Sequence, residues 1–333
     1  MKINQNELKK LICCDDHESE QALFKEADAL RRANYGIDVY IRGLIEISNY
    51  CKNNCYYCGI RKGNQTLERY RLSADEIIDC CNQGHKLGFR TFVLQGGEDD
   101  CFCDELICEI VSKIKSLYPD CAVTLSLGEK PYQSYKLYFD AGADRYLLRH
   151  ETANAAHYYK LHPTDMDFER RKRCLYDLKE IGYQVGTGIM VGSPFQTIEH
   201  IVEDFRFMQE LQPDMIGVGP YISHRNTPFK NSSNGDLRLC LRLIAISRLM
   251  FPCALIPATT ALGTIDEKGR ELGLLAGANV VMPNLSPKSA RSRYSLYDNK
   301  AYTGAEAAES LALLKAKVKS VGYKVVTDVG HAK

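Results

Sequence analysis

The residues with the clearest chemistry are three cysteines. Cys51-Lys-Asn-Asn-Cys55-Tyr-Tyr-Cys58 follows directly on the apolar run Gly43-Leu-Ile-Glu-Ile-Ser, which places three thiols in one short loop at the end of an expected strand. Iron–sulfur cubanes are ordinarily held by four cysteine thiolates, so a three-cysteine loop leaves one iron open to a ligand that is not protein. A zinc knuckle would use the same thiols but needs a fourth Cys or His at finger-like spacing. The nearest histidine downstream, His85, lies well outside such a spacing.

Other polar groups fall where strands are expected to end. Gln95-Gly96-Gly97-Glu98-Asp99 combines a carboxylate with two glycines that let the backbone approach a ligand closely. In Tyr146-Leu-Leu-Arg-His-Glu-Thr152, strand alternation sends Arg149 and Glu151 to one side and His150 to the other. Two opposite charges on one face of an apolar strand are costly unless they pair with each other or bind a zwitterion. In the second case Arg149 holds a carboxylate and Glu151 accepts from an amine or a ribose. Arg170, Arg171 and Arg173 open the next helical pattern, mostly as a solvated face from which one Arg can reach inward.

Gly186-Thr-Gly-Ile-Met-Val-Gly192 carries three glycines in an expected strand, which costs packing but suits a flat group lying against the backbone. Pro257-Ala-Thr-Thr260 ends another strand with two hydroxyls that either bind a carboxylate or simply favour extended structure. Cys101, Cys103 and Cys108 either hold a second cluster or metal, or serve as small apolar side chains. His150, His157, His162, His200 and His224 form no ligand spacing and none is assigned to a metal. The chain has no Ser/His/Asp arrangement, no P-loop and no dinucleotide fingerprint.

The elements that must position these groups alternate regularly. Strand patterns at Val39–Ser48, Thr91–Gln95, Ala122–Leu127, Arg145–Arg149, Gln184–Val191, Met215–Val218, Ala254–Pro257 and Asn279–Met282 are each followed by an amphipathic helical pattern, the last of them at Ala305–Val321. Such a series of βα units predicts an α/β fold, a closed (β/α)8 TIM-type barrel, with chemistry at the C-terminal ends of its strands. Residues 1–34 show helical spacing and are expected as two helices packed across the barrel bottom. Residues 35–333 form the barrel, one domain overall, since no linker interrupts the series. Ser73-Ala-Asp-Glu76 reads as a capping box that starts the first barrel helix.

Composition bounds the function. A net charge of +1 over 333 residues, with both signs well mixed, argues against nucleic acid and against a polybasic membrane contact, leaving a small-molecule substrate. No segment approaches the roughly 18 apolar residues of a membrane span, and Met1-Lys-Ile-Asn-Gln-Asn lacks a signal-peptide core. Fourteen cysteines in such a chain read as reduced thiols, which points to the cytoplasm.

With these residues in view, the chain resembles the HydE-type maturases of [FeFe]-hydrogenase, radical S-adenosylmethionine (SAM) enzymes of the biotin-synthase-like branch. The resemblance rests on Cys51-x3-Cys55-x2-Cys58-Gly-Ile-Arg, Arg69-Tyr-Arg71, Val93-Leu-Gln-Gly-Gly-Glu-Asp99, Thr124-Leu-Ser-Leu-Gly-Glu129, Ala143-Asp-Arg-Tyr-Leu-Leu-Arg-His-Glu-Thr-Ala-Asn154, Ile256-Pro-Ala-Thr-Thr-Ala-Leu-Gly-Thr264 and Gly277-Ala-Asn-Val-Val-Met-Pro-Asn284. It implies that Cys51, Cys55 and Cys58 ligate a [4Fe-4S] cluster, and that Tyr57, Gly96, Gly97, Glu98, Glu151 and Arg171 lie on the SAM side. Arg149, Met215, Thr259, Thr260, Tyr294 and Tyr297 are implied on the substrate side. Gly96 stands where some relatives have Ser, which alters one substrate-side contact.

The resemblance also implies a cysteine-bound iron complex as substrate, the maturases HydG and HydF as transient partners, and a one-electron reductant. Some family members hold an accessory cluster on three further cysteines near the C-terminus; the stretch Lys300–Leu314 has none, so no cluster is expected there. The rivals are another enzyme of the branch, biotin synthase or methylornithine synthase, and a non-enzymatic iron–sulfur scaffold. Biotin synthase uses additional cysteines and an arginine on its barrel strands, a set the expected strand interiors lack. A scaffold has no use for a deep ligand cavity.

Overall fold

The computed structural model describes residues 3–301 and 307–333. Two helices, α1 (Gln5–Ile12) and α2 (His17–Tyr35), lead into β1 (Asp38–Ile41) and β2 (Gly43–Ser48). Next come α3 (Ala74–Lys86), β3 (Thr91–Gly96), α4 (Asp104–Leu117), β4 (Ala122–Ser126), α5 (Tyr132–Asp140) and β5 (Arg145–Leu147). The chain continues through α6 (Ala155–Leu161), α7 (Phe168–Ile181), β6 (Gln184–Val191), α8 (Ile198–Leu211), β7 (Met215–Pro220) and α9 (Leu237–Met250). It closes with α10 (Thr260–Ile265), α11 (Gly269–Leu275), β8 (Val280–Val281), α12 (Lys288–Arg291), α13 (Ala307–Ser320) and β9 (Lys324–Val326).

β2 to β7 form one parallel sheet in chain order, each strand joined to the next through a helical crossover. The sheet then curls shut. Ile216 N donates to Leu255 O at 3.0 Å and Ala258 N to Val280 O at 2.9 Å, so residues 254–258 stand beside β7 and β8 beside them. Leu44 N donates to Pro283 O at 2.9 Å and Leu285 N to Leu44 O at 2.7 Å, which returns the ring to β2. This is the expected barrel, with residues 254–258 as a strand reduced to single bridges. Burial on both faces explains the β-branched runs of β2, where all six residues are buried.

The first expected strand is divided at Arg42. β2 pairs with β3, whereas β1 pairs with β8 and with an unexpected strand, β9, in a small second sheet at the strand entrances. Beyond β9 the tail crosses the barrel bottom, where the fully buried Arg145 donates to Val329 O and Gly330 O, each at 3.1 Å. The C-terminal half of α2 reaches that bottom: Ala27 packs beside Gly277, Asp28 and Arg32 meet Tyr323, and Arg31 donates to Asp38 O at 2.6 Å. The rest of α1 and α2 lies along α8 and α9, where Glu20 meets Arg238 and Arg242 at 2.9 Å each.

The capping box of α3 is present: Ser73 Oγ accepts from Glu76 N at 3.2 Å, and Glu76 Oε2 accepts from Ser73 N at 2.8 Å. The expected start of the last helix at Ala305 and part of the cysteine-free stretch lie outside the described residues. Among the described residues no helix is long and apolar enough to cross a membrane.

Candidate active site

The cysteine loop leaves β2 at the C-terminal mouth of the barrel and is tied down from every side. Lys52 N donates to Glu98 O at 2.8 Å, Tyr56 N to Leu161 O at 2.9 Å, and Gly59 N to Leu296 O at 2.8 Å. Arg69 folds under the loop and donates to the carbonyls of Ile60 and Arg61 at 2.8 and 2.7 Å. Its neighbour Arg71 grips Asp99 at 2.7 and 3.0 Å, and Ser48 Oγ donates to the same carboxylate at 2.6 Å. Those bonds join the loop to the Gly-Gly-Glu-Asp turn after β3. At Gly97 a Cβ would stand 2.1 Å from Tyr50 O and 2.7 Å from Cys51 Cβ, so only glycine lets the two loops touch.

Burial pushes the thiols of Cys51, Cys55 and Cys58 up, that of Cys58 to about 12. Three such groups become thiolates together only against a strong positive charge, which a metal centre provides. Among the described residues the three sulfurs are not gathered within 4.8 Å of one another, as a single ion would gather them. The donor set and its spread fit an iron–sulfur cluster better than a lone zinc. Cys101, Cys103 and Cys108 are likewise not gathered, and the first two are exposed.

Beside the loop stand three carboxylates and two guanidinium groups. Glu98 is buried, and its Oε1 accepts from Glu129 N at 3.0 Å. Gly128, at φ +77°, makes room for it, since a Cβ there would fall 2.1 Å from Glu98 Cγ. Glu129 reaches Arg171 at 2.9 Å, and Arg171 Nη1 donates to Arg149 O at 3.1 Å. Burial pushes the Glu129 carboxyl up, against the pull of Arg171. Arg149 and Glu151 face each other at 3.2 Å, although β5 ends at Leu147 and strand alternation does not extend to them. His150 turns away to Thr187 Oγ1 at 2.8 Å and Asp204 at 3.5 Å. Tyr57 is half-buried next to Glu151 and Arg171, its hydroxyl 3.2 Å from His162 Nε2.

Two features of this group mark it as a ligand-binding site. Glu151 holds φ at +64°, a strained conformation for a non-glycine residue that clusters at functional sites. Moreover Arg149 Nε and Nη2, Glu151 Oε2, Arg171 Nε and Glu129 Oε1 are all buried without a hydrogen bond; their ion pairs are close but misaligned. Buried polar atoms are rarely left so, and these would be satisfied by a molecule that carries both an amine and a carboxylate.

The substrate-side residues are only partly brought together. Thr259 caps α10, accepting from Leu262 N at 3.4 Å, while Thr260 Oγ1 lies 3.5 Å from Arg270 Nη2. Tyr294 and Tyr297 come from the segment 285–301, which crosses the mouth. Met215 is not with them. It begins β7 at the far end of the barrel, where Arg42 Nη1 donates to its sulfur at 2.9 Å.

Close strand packing accounts for glycine at positions 186 and 188. A Cβ at the first would fall 2.8 Å from Met215 Cε and at the second 2.0 Å from Gly217 O, so the close approach of β7 claims both. Sequence reasoning assigned no role to Glu129, although it sits at the end of β4 directly after the glycine that admits Glu98. It also passed over Arg270, Glu46 and Lys300.

The radical SAM superfamily pattern matches residues 45–208. The chain is 48% identical over 293 residues to the [FeFe] hydrogenase maturase subunit HydE of Thermotoga maritima, covering 88% of this chain and 83% of that protein. It is 30% identical over 298 residues to 3-methylornithine synthase of Methanosarcina acetivorans, covering 89% and 83%. The crystal structure of methylornithine synthase (PylB) superposes with a TM-score of 0.86 at 27% identity, covering 98% of this chain and 95% of that one.

Proposed function

The chain belongs to the HydE family of radical SAM [FeFe]-hydrogenase maturases, and from that premise we propose that its barrel mouth holds SAM against a cysteine-derived iron complex. It is thus an enzyme of hydrogenase maturation with a [4Fe-4S] cluster and SAM as cofactors. The bound cluster supplies the electron that splits the SAM sulfonium into methionine and a 5′-deoxyadenosyl radical.

The chain's own residues do the rest. Cys51, Cys55 and Cys58 would hold the cluster, three thiolates for four irons, which would leave one iron open to SAM. Glu151 and Arg171 receive the amine, carboxylate and ribose of SAM, Arg171 being held in place by Glu129. Gly96, Gly97 and Glu98 bring the backbone after β3 alongside, and Tyr57 closes the site on the loop side. Arg149 with Thr259 and Thr260 takes the carboxylate of the cysteine-bound iron substrate, and Tyr294 and Tyr297 form its wall. The closed ring excludes water, as a radical that attacks almost any C–H bond or sulfur requires. HydG as the source of the substrate, HydF as acceptor of the product, a one-electron reductant and a cytoplasmic setting complete the reading.

The observation that supports it most is the set of buried, unbonded polar atoms on Arg149, Glu151, Glu129 and Arg171. The test is a maturation system that contains HydF and HydG but no HydE. Addition of this chain, loaded with its cluster, is expected to yield active [FeFe]-hydrogenase, while a strain without biotin synthase stays auxotrophic. A loaded protein that fails to activate hydrogenase, or that rescues biotin synthesis, overturns the substrate assignment.

A further inference from the structure

Glu46 is an ionisable residue in the middle of a barrel strand, and no step above uses it. It lies on β2 with 1% of its surface exposed. Asn284 donates to its Oε2 at 2.8 Å, and the Lys300 ammonium contacts Oε1. Burial pushes the Glu46 carboxyl up, against the pull of Lys300. Lys300 is itself largely covered, donates to Tyr294 O at 3.0 Å, and stands 4.8 Å from the centre of the Tyr294 ring. Neither Glu46 oxygen is among the unbonded atoms, so the carboxylate is engaged and not waiting for a ligand.

Lys300 lies at the far end of the segment that crosses the mouth. That segment is also held by Leu296 O at the cysteine loop, by Asp298 to Arg225 at 3.0 Å, by Ala301 N to Thr264 Oγ1 at 2.9 Å, by Ser286 Oγ, which accepts from Glu46 N at 2.7 Å, and by the buried Leu285, Ala290 and Tyr294. Lys300–Glu46 is a deep side-chain ion pair that ties the segment to the strand that feeds the cysteine loop. A buried ion pair is a poor device for stability alone, since apolar replacements are often neutral or better; its value lies in fixing one arrangement. Here the arrangement is that of the Tyr294 and Tyr297 rings.

We propose that Lys300 and Glu46 are positioning residues that latch the 285–301 segment over the substrate, so that radical formation stays coupled to substrate turnover. This rests on the assignment of Tyr294 and Tyr297 to the substrate wall. The pair acts through those tyrosines, and neither residue is among those assigned to SAM or the cluster. Its loss therefore separates two quantities that a general loss of folding would lower together.

The test uses Lys300→Met, Glu46→Gln and Lys300→Arg in the cluster-loaded protein. Three readings are taken: 5′-deoxyadenosine formed from SAM and dithionite, hydrogenase activated per 5′-deoxyadenosine in the complete maturation system, and deuterium uptake by peptides across 285–301. Lys300→Met and Glu46→Gln are expected to keep 5′-deoxyadenosine formation, to exchange faster across the segment, and to lose coupling by about 10- to 100-fold, the scale of a misplaced reacting group. Lys300→Arg keeps the pair and most of the coupling. Unchanged coupling in both charge-removing variants overturns the proposal, as does an equal fall in both activities. If the unaltered protein activates no hydrogenase, the substrate reading fails; the exchange data then decide the latch, which slow exchange in both charge-removing variants would refute.

Discussion

Glu151→Gln offers the sharpest perturbation of the site, because it removes one charge and almost no volume. Glu151 is held at φ +64°, is 8% exposed, and has an oxygen without a hydrogen bond facing Arg149. If that oxygen accepts from the amine or ribose of SAM, the variant loses one hydrogen bond made to an ionised group. Such a bond is worth about 1.5–3 kcal/mol, which corresponds to roughly a 10- to 150-fold weaker affinity. The cysteine loop is held by separate contacts, from Arg69 and from the Glu98, Leu161 and Leu296 carbonyls, so iron content should not change. Equilibrium binding of SAM to the reduced, cluster-loaded protein measures the effect directly. SAM affinity within about twofold of the unaltered protein, with a full cluster, would refute the reasoning.

Three further outcomes follow from the same geometry. Cys55→Ala should abolish both the cluster chromophore and 5′-deoxyadenosine formation, whereas joint replacement of Cys101, Cys103 and Cys108 should leave both; iron analysis and product chromatography decide. Arg171→Ala should weaken SAM, while Arg149→Ala should spare SAM cleavage and weaken the substrate, so equal effects on SAM affinity would undo the division of roles. Burial pushes His157 and His162 down, to about 4 and about 3, from 6.5. The unfolded chain therefore takes up these protons first, and stability present above pH 6.5 is lost as pH falls towards those values. Urea midpoints at pH 7.5 and 5.5 should show the decrease, and His157→Asn should reduce it.

The parts legible in the sequence were those set by local periodicity. The alternation of strand and helix patterns gave the barrel, whereas Arg149 and Glu151 meet beyond the end of β5 through the turn at Glu151 (φ +64°) and not through the period of two. What escaped depends on distant partners. Glu129 is separated from Arg171 by α5, β5 and α6, and no pattern in either neighbourhood announces their contact. Glu46 sits in a strand that reads as uniformly apolar, and Lys300 in a loop that reads as uniformly solvated; only closure of the barrel brings them together. Gly186 and Gly188 were read as space for a ligand because the sequence does not say how close the adjoining strand will run. β9 was missed because Lys324–Val326 gains its partner only from β1, far away in the chain.

The central proposal is that SAM binds at the iron left open by Cys51, Cys55 and Cys58, its amine and carboxylate reaching that iron as well as Glu151 and Arg171. Electron–nuclear double resonance of the reduced protein with SAM labelled by 15N at the amine and 17O at the carboxylate tests this most directly. The account predicts hyperfine coupling of both labels to the cluster, with the iron count of a single cubane. A reduced cluster that shows no coupling to either label, in a protein saturated with SAM, would contradict it.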